Sequence, residues 1–399
     1  MKTKLRSTQS MAGVILVAFL VALLSPAASH AQCVLPAPWN SWCVCEGSNL
    51  NEQRLICKPD PFNGTLVVYA HGYVYPQEAL ALPFEEIGPF ADVIVGLLSQ
   101  GFAFATTSYS KTGYAIEQAA TDLTNLVEEF NGPDPGAAAA KVLLVGASEG
   151  GLITAMMLEQ HPDIFAGGLA LCGPVGGMTE QLKYLGDFRV LFDYFFPSVF
   201  PVGLDQYNDP FYTTACFSSM SNPWEPSYPQ KIQATISASP LRTLQLFKIT
   251  GAAFSLLDSA SFAETAQTAL KYTVCGTKDL ITTAKGMPYD NTKTWYDASL
   301  LLNLKVDRVT ADSGAKGYVT TWYDTTGELT RPLVTLHNLS DPAVPYKHEA
   351  LYKQKVAAAG KLSNLTSFPA LGYGHCNFQP WQVLGALYVL LNQVHSSGP

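Results

Sequence analysis

The chain has 399 residues, of which 48% are hydrophobic and 14% charged, and its formal net charge is -8. That much apolar material builds a large core, which excludes an intrinsically disordered protein. The acidic balance excludes the electrostatic footprint of a nucleic-acid or anionic-membrane binder.

Lys2, Lys4 and Arg6 precede an apolar run from Met11 to Leu24, and small residues follow as far as Ala31. The run is too short to cross a bilayer comfortably and has the layout of a secretory signal. Residues 1–31 are therefore expected to be a signal peptide, leaving a secreted or periplasmic protein with no stable membrane insertion after cleavage. No later segment is long and apolar enough to span a membrane. The cysteines are Cys33, Cys43, Cys45, Cys57, Cys172, Cys216, Cys275 and Cys376. An even number in an exported chain points to disulfides. The first four crowd a cysteine-rich segment, 32–64, and are expected to pair among themselves. Cys43-Val44-Cys45 has the wrong spacing for zinc, so no metal is expected.

Past residue 64 the pattern becomes regular. Strands are expected at Thr65–Ala70, Phe102–Ser108, Val142–Val145 and Ala166–Cys172. Helices are expected at Ala115–Phe130, where Ile116, Ala119, Ala120, Leu123 and Leu126 share a face, and at Leu152–Gln160. Near-continuous apolar strands alternating with helices argue for an α/β fold: a mostly parallel sheet covered on both faces. The rhythm breaks over 174–328, a largely helical, aromatic and then proline-rich stretch. It resumes over 329–399, with strands at Leu333–Leu336 and Leu365–Leu371 and helices at Glu349–Ala359 and Trp381–Val394. The organisation expected is one core in two parts, 65–173 and 329–399, interrupted by an inserted, mainly helical cap at 174–328.

Gly146-Ala147-Ser148-Glu149-Gly150 fits G-x-S-x-G, with a buried strand running directly in and a helix directly out. A serine there sits on a strained turn at the carboxyl edge of the sheet, with glycines two residues either side leaving room for it. Ser148 is the expected nucleophile. A serine hydroxyl needs a base, and the base needs a carboxylate to hold its tautomer. His375, in the glycine-flanked loop Gly372-Tyr373-Gly374-His375-Cys376, is the expected base. His161, His348 and His395 fit poorly, and His337, at a strand end, is a weaker competitor. Asp341 follows a strand, in a loop stiffened by Pro342 and Pro345, and is the expected acid; Asp279 is a decoy inside the insertion. An oxyanion hole needs backbone N–H groups aimed at the developing charge. The Glu149 N–H supplies one, and Tyr73, in Ala70-His71-Gly72-Tyr73, supplies the other, with Gly72 as alternate. His71 shapes that loop.

On His71-Gly72, the 146–150 elbow, the Asp341-Pro342-Ala343-Val344-Pro345 loop and His375, the chain resembles the α/β-hydrolase superfamily. The likeness is to exported serine esterases with a large lid and to prolyl-oligopeptidase-like hydrolases. There is a partial likeness to tannases and feruloyl esterases. Those join a cysteine before the serine to one after the histidine; here Cys376 follows His375, but Ala147 precedes Ser148. Cys376 needs another partner. Cys172, ending the strand after the nucleophile helix, should lie on the same sheet edge, so a Cys172–Cys376 bridge is expected, with Cys216 paired to Cys275. The resemblance implies an α/β-hydrolase fold with a lid over the site. It also implies a serine hydrolase cleaving a small-molecule or polymeric carboxylic ester without cofactor. A peptidase on the same triad is the alternative, and an inactive binding protein on this fold is a third.

Overall fold

The computed structural model describes residues 43–47, 52–76, 78–133, 138–197, 199–200, 227–297 and 299–396. The expected signal peptide, Cys33 and Cys216 lie outside them. The described strands are β1 (Cys43–Gly47), β2 (Gln53–Cys57), β3 (Thr65–Ala70), β4 (Ala103–Thr107), β5 (Lys141–Ala147), β6 (Gly167–Leu171), β7 (Leu333–Ser340) and β8 (Leu365–Tyr373). They form one eight-stranded sheet in the order β1-β2-β4-β3-β5-β6-β7-β8. β1–β2 and β2–β4 pair antiparallel, and the pairings from β4–β3 through β7–β8 are parallel. The helices are α1 (Phe84–Ile87), α2 (Ala91–Ser99), α3 (Ile116–Asn131), α4 (Glu149–Gln160), α5 (Met178–Phe195), α6 (Ser227–Ala238), α7 (Pro240–Thr250), α8 (Ala260–Lys271), α9 (Thr277–Ala284), α10 (Leu300–Lys305), α11 (Ser313–Trp322), α12 (Lys347–Ala358) and α13 (Pro380–Ser396). This is the α/β-hydrolase fold that the resemblance implied, with the mostly parallel sheet that the alternation of apolar strands with helices led one to expect.

Side chains alternate across each strand, so the sheet feeds two cores. Leu66, Val68, Val142 and Leu144 pack under α3, α4 and α12. Val67, Tyr69, Leu143, Val145, Leu169 and Leu171 face the opposite way, toward α2 and α13. A third core, built around Phe188, Phe192 and Phe247, belongs to the helices between β6 and β7. The cysteine-rich segment contributes the antiparallel hairpin β1–β2, bridged by Cys43–Cys57, and β2 carries it onto β4. Cys45 and Cys275 each also take part in a disulfide.

The tightest packing is at the start of α4. Ser148 has φ +56°, a left-handed value that strains a side chain-bearing residue. A Cβ on Gly150 would stand 2.0 Å from the Ala70 carbonyl oxygen, and one on Gly146 would stand 2.2 Å from that of Gly150. We expect Gly150→Ala to cost about 3 kcal/mol or more, or to prevent folding. Gly385→Ala is the control: mid-α13, a Cβ there meets nothing within 4 Å. It should gain about 0.5–1 kcal/mol. Urea denaturation of both variants checks the contrast.

Candidate active site

Ser148 leaves β5 at its carboxyl end, and the strained turn lifts its hydroxyl above the sheet. Its Oγ lies 2.8 Å from His375 Nε2. The other ring nitrogen, Nδ1, lies 2.8 Å from Asp341 Oδ2. Three residues from distant parts of the chain thus form one hydrogen-bonded line. A neutral imidazole in that position can take a proton from Ser148 while Asp341 holds Nδ1–H.

Asp341 is fully buried and follows β7, whose pairing with β8 shifts register between Asn338 and Ser340. Irregularities of this kind re-aim the end of a strand. Its Oδ1 accepts from the backbone N–H groups of Ala343 and Val344, at 2.8 and 2.9 Å. From α5, Gln181 Nε2 donates to Ala343 O and Tyr184 OH to Pro342 O, at 2.8 and 2.9 Å. Burial alone would raise the Asp341 carboxyl. The charge on His375 and the hydrogen bonds of His337 and His375 outweigh it, holding the group at about 2.

His337, the weaker competitor for the base, sits behind the acid. It is fully buried, with Nδ1 3.2 Å from Glu349 Oε1. Its Nε2 lies 2.9 Å from Val344 O and 3.5 Å from Asp341 Oδ2. Burial would lower this imidazole, but the hydrogen bonds and charges of Asp341 and Glu349 outweigh it and raise it to about 9. Asp341 therefore stands between two imidazoles, and only His375 reaches Ser148.

The His375 loop is pinned from several sides. Gly374, at φ +124°, donates its N–H to Ser340 O at 3.1 Å. Buried Asn338 exchanges two hydrogen bonds with the backbone of Asn377, each 3.1 Å. Cys376 is bridged to Cys172, as expected, across 204 residues of sequence. Like Ser148, both cysteines carry positive φ, +47° at Cys172 and +51° at Cys376, so backbone strain concentrates around the site.

Of the two candidates for the second oxyanion donor, Gly72 is already committed. Its N–H donates to both oxygens of Glu86, at 3.2 and 3.1 Å, and Tyr69 OH donates to Glu86 Oε1 at 2.6 Å. That leaves Tyr73. His71 stacks on Tyr109 with ring centroids 3.8 Å apart and holds the loop from below. Nothing in the sequence singles out Glu86, which reaches the loop from α1. Glu149, singled out for its backbone N–H, also buries its side chain, whose Oε1 accepts from Ala115 N–H at 2.8 Å. Burial pushes the carboxyls of both Glu86 and Glu149 up. Asp279, the decoy, accepts from the Tyr114 N–H at 2.7 Å and is no part of the Ser148 line.

The site opens into a cavity of about 820 Å³, bordered by Ser148, His375, Gly72, Tyr73, Glu86 and Tyr272. Tyr272 comes from the helical insertion, and the Tyr373 hydroxyl, at the end of β8, lies 3.0 Å from Thr265 Oγ1 of α8. Among the described residues, the one close group of metal-ligating types is Cys172, His375 and Cys376, whose two sulfurs are joined to each other.

Residues 95–185, from within α2 into α5, match the model of the prolyl oligopeptidase family. No curated protein sequence matches the chain. Among solved structures, an acylaminoacyl peptidase of Pyrococcus horikoshii is 12% identical with TM-score 0.42, over 86% of this chain and 38% of its own. A Pyrococcus furiosus esterase is 12% identical with TM-score 0.44, over 91% of this chain and 95% of its own. Candida antarctica lipase A in its closed state is 15% identical with TM-score 0.41, over 90% and 77%. The chain spans 41% and 38% of the length of two acylaminoacyl peptidases to which it is similar.

Two outcomes are expected from this geometry. The folded pKa of His337, about 9, lies above the ~6.5 of a free imidazole. Its contribution to stability is therefore complete below pH ~6.5 and is lost as pH rises through about 9. Melting curves across that window should show wild type losing stability that the His337→Gln variant does not. Replacing Cys172 and Cys376 together by Ala should lower the denaturation free energy by about 2–4 kcal/mol. It should also lower kcat under conditions where the protein is still folded, because His375 loses a restraint.

Proposed function

We propose that the protein is a serine hydrolase that cleaves carboxylic esters through an acyl-enzyme. The observation that carries this reading is the line Ser148 Oγ–His375 Nε2–Asp341 Oδ2, with 2.8 Å at each step. Ser148 Oγ attacks the ester carbonyl as His375 Nε2 takes its proton. The oxyanion is received by the backbone N–H groups of Tyr73 and Glu149. His375 then gives the proton to the departing alcohol, leaving the acyl group on Ser148. Water, deprotonated by His375, attacks that ester, and the acid leaves with Ser148 restored. Asp341 keeps Nδ1 protonated and balances the imidazolium. Every bond made or broken is served by these groups, so the reading calls for no metal or organic cofactor.

The insertion between β6 and β7 acts in this reading as a lid. Its support is that α5 holds the Asp341 loop and Tyr272 borders the cavity. Export is also part of the reading. The disulfides support it, and no described helix is long and apolar enough to cross a membrane. Mass spectrometry of the exported protein should find Gln32 at its amino terminus. A peptidase using the same three residues is the second reading, favoured by the match of 95–185 to the prolyl oligopeptidase family.

Ser148→Ala, Asp341→Asn and His375→Ala should each lower kcat on p-nitrophenyl butyrate by about 10³-fold or more, with KM little changed. Faster turnover of aminoacyl-p-nitroanilides than of any p-nitrophenyl ester would replace the esterase reading with the peptidase one.

A further inference from the structure

The large cavity does more than open beside Ser148: it runs inward between the sheet and the helices α2 and α13. Its deep end is lined by Val67, Ile94, Leu97, Phe104, Leu169 and Leu387. Val67 pairs with Leu143 on β5 and with Phe104 on β4. That level lies five residues below Ser148 along β5, which at ~3.3 Å per residue is a depth of ~16 Å. The polar lining groups gather near the mouth. Glu86 is engaged by Tyr69 and Gly72, and the Tyr373 hydroxyl is engaged by Thr265 and Ser261. No Lys or Arg lines any part of the cavity. A charged chain end carried to the bottom would find no partner, and burying one unpaired is costly.

Resting on the ester-hydrolase reading, we propose that this cavity holds the acyl chain. The substrate is then an ester of a linear, uncharged aliphatic acid of medium length. The alcohol is assigned elsewhere by the order of the chemistry. The acyl group stays on Ser148 through both half-reactions, while the alcohol must leave before water can enter. An inward-running pocket suits the part that stays. A second cavity on the other side of Ser148, bordered by Tyr114, Glu149, Met178 and Gln181, measures only about 30 Å³. That is room for water rather than for a chain.

The test is kcat/KM along the p-nitrophenyl series acetate, butyrate, octanoate, decanoate and laurate, with benzoate and ferulate beside it. Methyl decanoate against decyl acetate identifies which arm occupies the cavity. Decanoate should exceed acetate by about tenfold or more, since each methylene moved out of water contributes. Methyl decanoate should exceed decyl acetate. Leu97→Trp, which fills the deep end, should lower the decanoate-to-acetate ratio by about tenfold and move the optimum to a shorter chain. Leu387→Phe narrows the same space from α13 and serves if the first variant does not fold. A decline beyond butyrate, a preference for benzoate or ferulate, or a preference for decyl acetate would overturn the inference while leaving the esterase intact. Failure of the folded protein to cleave any ester overturns the esterase reading and this inference with it.

Discussion

The close approach of α4 to the sheet at Gly146, Gly150 and Gly151 is the constraint on which the site rests. Gly150 lies against the Ala70 carbonyl and Gly151 against the backbone of Gly173, so no side chain fits at either position. That contact drives the turn at Ser148 into its left-handed conformation and brings the start of α4 level with the end of β3. The loop after β3 is thereby brought against Ser148: a Cβ on Gly72 would lie 3.2 Å from the Cβ of Ser148. Strain at Ser148, Cys172 and Cys376 is tolerated because the packed α/β core surrounds it on both faces of the sheet.

A second constraint is electrostatic. Asp341 has no access to water, yet it is held ionised by two backbone N–H groups and an imidazole on either side. One imidazole faces Ser148; the other faces Glu349 and is anchored to Val344 O. Partly exposed His375 is thus backed by a buried arrangement of opposite charges whose members hold one another in place. The same loop depends on α5 through Gln181 and Tyr184. The insertion therefore supports the acid physically as well as bordering the cavity.

The two faces of the sheet are used differently. Under α3 and α4 the side chains fill the space, with Leu123, Leu144, Leu152 and Leu158 fully buried. Toward α2 and α13 the layer is hollowed beside Val145 and Leu169, and the hollow reaches Ser148. Because alternate residues of a strand point to opposite faces, one set of strands can supply a dense core on one side and a lined cavity on the other. β7 shows the same economy along its length: its buried start pairs with β6, and its end presents Asn338 to the His375 loop and leads into Asp341.

By itself the sequence determined the parallel core, because buried strands read as apolar runs and each ends at a glycine, proline or polar turn. It also marked Ser148, Asp341 and His375, since glycines and prolines around a polar residue advertise a backbone that must bend or approach closely. Less was legible where the signal is not local. The β1–β2 hairpin was hidden in a cysteine-rich stretch without clean alternation, and α2, only nine residues long, carried too few turns to show a period. His337 and Glu86 had no local mark, because their partners lie across the fold or around a loop. Only the tertiary structure decided that His337 stands behind Asp341 and that Glu86 takes the Gly72 N–H, whereas the Cys172–Cys376 bridge had been expected from the sequence. It also decided where the core is hollow. Periodicity tells which side of a strand is apolar, but a cavity is the space left when side chains from several strands and two helices fail to meet, and no single segment encodes that.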